Sequence, residues 1–270
     1  MLLLLICMYA LYYLSINHEL IIVKAARFPC LINLPHSIIV LDLGEIMYEL
    51  SILRWIHIVA MVYWLGGEWG VFQTAYNIVN RKLSMEERRR HLETAYRIDI
   101  LARTGIILLL PLGLHMGHIW GVQPYGGTTL VVMWIAVAIW LSLCWAAFFF
   151  RETDKGIRLT KMDESVRFVL IPVMMICAIG TFLGYGPFAT GEGQMWYPTK
   201  IFIFAWLLVI GLKLRFIMRE WTVIFRQLAQ KEDEVLEARL EQQIRMSRYL
   251  AYLYWIGILT VAFLGATKPF

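Results

Sequence analysis

Charged residues are scarce in this sequence: Asp, Glu, Lys and Arg together make up 17% of its 270 residues. Hydrophobic residues make up 60%, above the roughly 45–50% of soluble domains. The charges come in bursts between long apolar runs, and a run of about 20 apolar residues is enough to cross a bilayer. This pattern excludes an ordinary soluble domain and predicts an all-α, polytopic transmembrane helical bundle.

Cysteine is also rare, with four residues and no Cys-x-x-Cys pair. Because no Cys-x-x-Cys-His motif occurs, the sequence has no attachment site for a covalent c-type haem. The net charge is +5, but the basic residues fall in short segments beside apolar runs. They do not alternate with aromatic residues as on a nucleic-acid-binding surface. We therefore expect contact with membrane lipid and no nucleic-acid partner.

Six apolar runs are long enough to be transmembrane helices. They cover residues 50–79, 98–120, 129–150, 166–185, 198–218 and 249–266. Together they place a six-span bundle in residues 47–270. Within it, the segment 220–246 has many charges and neither Pro nor Gly, so we predict a helix outside the membrane. That helix is either a solvated connector or a docking surface for a partner.

Residues 1–46 do not fit this pattern. Their first part, 1–14, is apolar but short, and it lacks the basic start and small-residue cleavage site of a signal peptide. It could be a further span, a weak signal segment or sequence upstream of the true start. Met47 stands directly before the first strong span and favours the last interpretation, in which 1–46 is an N-terminal extension.

Lysine and arginine are missing from two of the loops, 121–128 and 186–199. The stretches after the first, third and fifth spans are rich in both. The positive-inside rule assigns the basic stretches to the cytoplasm, so both ends of the six-span unit face outward. We expect a multi-pass protein of the bacterial inner membrane with a periplasmic C-terminus.

Ionisable residues inside predicted spans are costly in a bilayer and are therefore candidates for function. The candidates are Arg54, His57, Glu68, Arg103, His115, His118 and Lys200. A helical rise of about 1.5 Å per residue places His57 roughly 10 Å and His115 roughly 8 Å below the outer surface. Two imidazoles at one level on antiparallel helices would be axial ligands of haem b in a bundle. Their alternative role is hydrogen-bonded packing.

Neighbouring residues fit the same interpretation. Arg54 lies one turn outward of His57 on the same helix face, and Lys200 begins the fifth span, so both would bind haem propionates. His118 is an alternative second ligand, a hydrogen-bond donor to a propionate or quinone, or an interfacial polar residue. With three histidines in the spans, we expect one haem b or two.

Glu68 and Arg103 form a second group, nearer the cytoplasmic level. A structural ion pair between them is the favoured interpretation, because a charge inside a span usually has a partner. A proton path from the cytoplasm is the alternative.

The first span carries the run RWIHIV at 54–59 and WLGG at 64–67. It resembles the first helix of a haem-linked membrane superfamily. This superfamily includes CopD-type copper-resistance proteins, HemJ-type protoporphyrinogen oxidases and the membrane part of PuuD-type urate hydroxylases. The runs GLH at 113–115 and WYPTK at 196–200 are similar to further motifs of these proteins. The resemblance covers about residues 50–220 and implies that His57 is a haem ligand and Lys200 a functional lysine.

Several functions stay open. The leading one is a haem b-binding membrane protein that passes electrons between a partner protein and quinone or a periplasmic acceptor, alone or as a complex subunit. One alternative is a HemJ-like oxidase, in which Lys200 and Arg54 bind substrate carboxylates. Others are a CopD-like copper transport protein or a membrane anchor subunit. Copper would require soft ligands, for which the spans offer Met116, Met174 and Met175.

Overall fold

The computed structural model describes residues 36–151, 153–189 and 191–270, with side chains from residue 46 onward. In these ranges the chain forms six α-helices and no strand: α1 (His36–Ile78), α2 (Met85–Ile119), α3 (Thr128–Phe149), α4 (Asp154–Phe182), α5 (Trp196–Leu228) and α6 (Glu234–Thr267). All six are long and apolar enough to cross a membrane. This confirms the predicted all-α transmembrane bundle. Most of the predicted extension, residues 1–35, lies outside the described residues.

The bundle has two chemically different ends. The basic end carries the connections α1–α2, α3–α4 and α5–α6. The opposite end carries the loops α2–α3 and α4–α5 and the last residues of the chain. Each helix packs against its neighbours in sequence, and α6 closes the ring against α1. The side chain of Trp64 helps to hold this ring together, because it donates to the Tyr254 hydroxyl on α6 at 3.1 Å and packs edge-on against Phe204 on α5.

Several helices extend beyond the predicted spans at the basic end. Helix α2 begins at Met85, where Ser84 and Glu87 form a reciprocal capping box. Helix α4 begins at Asp154, capped by the Thr153 hydroxyl. Hydropathy marks only the apolar part of such a helix. The polar part is helical because side chains satisfy the free backbone N–H groups of its first turn.

The predicted helix 220–246 is wrong in one respect, because it is two helix ends and not one helix. Helix α5 ends at Leu228, and α6 begins after Asp233, whose carboxylate accepts from the backbone N–H groups of Val235 and Leu236. The absence of Pro and Gly suggested continuity, but an Asp N-cap is enough to begin a new helix. The two ends pack antiparallel, and Arg239 pairs with Glu220 across them.

Helices α1 and α2 approach one another most closely, and glycine makes this possible. A Cβ added at Gly67 would lie 2.8 Å from the Cβ of Ala102, and one added at Gly105 would lie 2.9 Å from the backbone nitrogen of Trp64. Small residues allow such backbone contact between membrane helices. The contacts fix the register of α1 against α2, and with it the neighbours of every polar residue on the two helices.

We expect Gly105→Ala to destabilise the protein by about 1–3 kcal/mol, because the added methyl group would collide with the backbone of α1. Gly66→Ala is the matched control, since a Cβ at Gly66 meets nothing within 4 Å. Thermal unfolding of both variants in one detergent measures the difference. Equal melting temperatures would contradict the close α1–α2 contact.

Candidate functional site

His57 has a buried polar atom to which no described residue is a hydrogen-bond partner. Its Nδ1 is buried and makes no hydrogen bond to any described residue. The ring faces α2 at Gly113, where an added Cβ would lie 3.7 Å from the His57 Cε1 atom. An unsatisfied buried polar atom costs about 1–3 kcal/mol, so it points to a partner that the described residues do not supply, such as a ligand, an ion or water.

Three cations at the opposite end follow one another outward from His57. Lys200 at the start of α5 is half-buried and near enough to His57 to interact with it electrostatically; the exposed Lys268 interacts with Lys200, and the exposed Arg54 with Lys268. Within the described ranges none of the three cations forms an ion pair with a carboxylate. Like charges repel when they are brought together. The cluster is therefore suited to an anionic ligand with more than one charge.

Glycines make room for the side chains around His57. The Tyr197 hydroxyl lies 3.4 Å from the carbonyl oxygen of Gly113, to which it donates. A Cβ added at Gly117 would lie 2.7 Å from the Tyr197 Cζ atom, so the tyrosine ring occupies the space that this glycine leaves. Lys200 likewise lies against Gly265 of α6, where an added Cβ would be 3.4 Å from its Cε. The site thus lies where α1, α2, α5 and α6 meet.

His115 has a different environment from His57. Its Nδ1 accepts from Trp134 Nε1 on α3 at 3.3 Å, and its Nε2 lies 3.3 Å from the Glu49 carboxylate on α1. Residues 113 and 115 are about 200° apart around a helix, and His57 faces the side of residue 113. The two imidazoles therefore lie on different sides of α2. The predicted pair of axial ligands stays a prediction. Of the two residues, His57 has the ring nitrogen, Nδ1, that no described residue contacts by a hydrogen bond.

His118 lies under the α2–α3 loop. A Cβ added at Gly126 of that loop would be 2.9 Å from His118 Nδ1, so the ring fills the space beside this glycine. The side chain is half-buried. This position matches the interfacial alternative better than a ligand in the middle of the bundle.

Arg103 pairs with Asp99, one turn earlier on α2, and not with Glu68 as predicted. Glu68 is near enough to interact electrostatically with Asp99 and Arg103. No Glu68–Arg103 ion pair forms among the described side chains, however. A partner four residues away on the same helix needs no particular helix–helix register. The prediction considered only pairs between helices and so missed Asp99.

A buried charge network on α4 and α5 was also missed. Asp163 is fully buried, accepts from Trp140 Nε1 at 2.7 Å and forms an ion pair with Arg215. Arg167 lies 3.8 Å from the same carboxylate. Both arginines lie near the basic end, where the positive-inside rule already explains positive charge, so they were not singled out. They nevertheless lie inside predicted spans, and that position could have identified them as residues in need of a carboxylate partner.

Two further residues of the site gave little signal in the sequence. Lys268 follows the sixth span and resembles an ordinary end of a helix, but it has a φ of 47° at the C-terminus of α6 and lies over Trp120, with Nζ 3.8 Å from the ring centroid. Glu49 precedes the strong part of the first span. Its contact with His115 depends on the α1–α2 register, which hydropathy does not reveal.

Comparisons with family models, curated proteins and solved structures find no match to this chain. The described side chains include no group of three or more His, Cys, Asp or Glu residues that could hold a metal ion. A haem differs from such a site because it needs only one or two protein ligands.

We expect Asp163→Asn to destabilise the protein by about 3–5 kcal/mol, because it leaves buried arginines without their carboxylate. Glu86→Gln is the control. It removes an ion pair with Arg90 whose side chains are 73% and 74% exposed, and such a pair contributes about 0–1 kcal/mol. Thermal unfolding in detergent gives the comparison. If Asp163→Asn has the same melting temperature as the control, the network does not stabilise the protein.

Proposed function

We propose that this protein is a haem b-binding membrane protein that transfers electrons between a partner protein and quinone or a periplasmic acceptor. The observation that supports this most is the buried Nδ1 of His57, which has no hydrogen-bond partner among the described residues and lies near Lys200, a cation without a carboxylate partner in the same ranges. Haem iron accepts imidazole ligands, and a haem has two anionic propionates. The residues around His57 offer both kinds of contact.

The residues divide into two roles. His57 would bind the iron, while Arg54, Lys200 and Lys268 would bind the propionates. Bound haem supplies one-electron redox chemistry. The Trp64–Tyr254 hydrogen bond and its aromatic neighbours form a packed layer toward the basic end.

His115 is a weaker candidate for direct ligation. Both of its nitrogens already have protein partners, so iron binding would require the exchange of a contact with Trp134 or Glu49. We therefore expect His57 to be essential for haem binding. Removal of His115 would have the smaller effect, through packing or through the spin state of the iron.

The orientation follows from the distribution of basic residues. Under the positive-inside rule the basic end faces the cytoplasm, so the His57 site would lie on the periplasmic side of a bacterial inner membrane. Electron transfer to a periplasmic acceptor is compatible with this position, as is quinone at the outer leaflet.

The same cations support a second function, a HemJ-like protoporphyrinogen oxidase. A porphyrinogen carries two carboxylates, which Lys200 and Arg54 would bind, with Lys268 as a further cation. Oxidation to the porphyrin removes six electrons and six protons, so three quinone molecules would each take up two electrons and two protons and become quinol, and the Nδ1 of His57 would relay a proton. Rescue of a mutant that lacks the corresponding step of haem synthesis, by wild type and not by Lys200→Gln, would favour this function.

Visible spectra test the leading proposal. Protein expressed with added haem and purified in mild detergent is expected to show a reduced b-type spectrum and about one haem per chain by the pyridine haemochrome assay. We expect His57→Ala to lose the haem and His115→Ala to retain most of it. His91→Ala, at the basic end of α2, is the control and is expected to match wild type.

Two results would contradict this proposal. A colourless wild-type protein would remove the haem function, and it would leave the oxidase or anchor role. Retention of the wild-type spectrum by His57→Ala would show that the iron ligand lies elsewhere.

A further inference from the structure

A large cavity lies at the basic end, at the other side of the bundle from His57. Its volume is about 930 Å³, within the roughly 300–1,000 Å³ of small-molecule sites. Residues of α2, α4, α5 and the end of α3 line it, and eight arginines face three acidic residues. We call it the arginine cavity, after a lining that includes Arg89, Arg97, Arg103, Arg215, Arg219 and Arg226.

The arginine cavity leads from the surface into the bundle. Arg89 and Arg226 are exposed at its mouth, whereas Arg215 is buried at its floor. The stretch of α5 between Arg226 and Arg215 is about 16 Å long. A molecule that fills the cavity therefore meets cations at both its outer and its inner end.

Several of these cations lack the hydrogen bonds or ion pairs that they can make. Arg215 pairs with Asp163, but its Nη2 is buried and has no hydrogen-bond partner among the described residues. Arg89 and Arg226 form no ion pair within the described part of the chain. The acidic lining residues already pair with arginines: Glu93, Asp99 and Glu164. Guanidinium groups with free donors suit oxyanions, above all phosphate.

The lining of the arginine cavity also includes exposed apolar side chains. Ile157 and Val223 line it and are 48% and 51% exposed, and Phe149, the residue after the lining residue Phe148, is 68% exposed. Arg219 lies over the ring of Phe216, 5.1 Å from its centroid, and Phe216 stacks on the exposed Phe168. In a membrane such apolar surface contacts acyl chains. The free arginine donors therefore lie where a phosphate headgroup meets its chains.

We propose that the arginine cavity binds a phosphate ester, and that the headgroup of an anionic membrane lipid supplies it. Arg215 and Arg219 bind the phosphate, and the acyl chains lie along the exposed phenylalanines. Basic pockets between transmembrane helices bind diphosphate headgroups in this way. Because arginines lie both at the mouth and at the floor of the cavity, a headgroup with two phosphates would meet arginine at each of them.

Native mass spectrometry of the full chain in detergent, after removal of bound lipid, tests this proposal. The probes are diphosphatidylglycerol, phosphatidylcholine and glycerol 3-phosphate. We expect wild type to bind diphosphatidylglycerol at least about tenfold more tightly than phosphatidylcholine, and the variant Arg89→Gln/Arg226→Gln to lose about tenfold in that affinity. Neither arginine pairs with a described carboxylate, so the variant leaves none of these carboxylates unpaired.

Arg158→Gln/Lys161→Gln is the matched control. It removes two positive charges from exposed residues at the same end that do not line the cavity. Unchanged binding in the control supports the proposal, whereas an equal loss in both variants overturns it in favour of general surface attraction. Failure of wild type to prefer diphosphatidylglycerol also overturns it. Displacement of the lipid by equimolar glycerol 3-phosphate would keep the phosphate site and overturn the lipid as its source. None of these lipid-binding measurements depends on whether the protein contains haem.

Discussion

The backbone contact between α1 and α2 is the constraint on which the rest of the bundle depends. Gly67 and Gly105 allow the two helices to approach so closely that an added Cβ would collide with the facing helix. Helix geometry then determines which residues of α1 and α2 face each other. His57 comes to lie against Gly113, while His115 faces Glu49 and Trp134. The register thus leaves the Nδ1 of His57 without a partner among the described residues and gives the His115 ring two partners.

The two ends of the bundle handle charge differently. At the basic end, arginines are neutralised in part by buried carboxylates such as Asp163 and Glu164, while Arg89 and Arg226, which line the arginine cavity, have no ion-pair partner among the described residues. At the opposite end, Arg54, Lys200 and Lys268 have no such carboxylates among the described residues. Lys200 is half-buried, whereas Arg54 and Lys268 are exposed. Like charges repel when they are brought together, so both ends are suited to anions.

Hydropathy predicted the six spans because transfer of apolar residues into a bilayer depends on composition, which a sequence displays directly. It also selected His57, Arg54 and Lys200, since charge inside an apolar run is rare. It could not reveal that the chain reverses direction between α5 and α6, because this reversal depends on one capping side chain, that of Asp233. Nor could it find Asp99 as the partner of Arg103, or Trp134 and Glu49 beside His115, because these contacts depend on helix rotation and register.

The most direct test of the account is chemical rescue of the His57 imidazole. The variant His57→Gly removes the ring, and added imidazole can occupy the space and bind iron in its place. The account predicts that His57→Gly is purified without haem and regains a b-type spectrum when haem and imidazole are supplied together, while His115→Gly binds haem without imidazole. A His57→Gly protein that binds haem as wild type does, with no imidazole present, would contradict it.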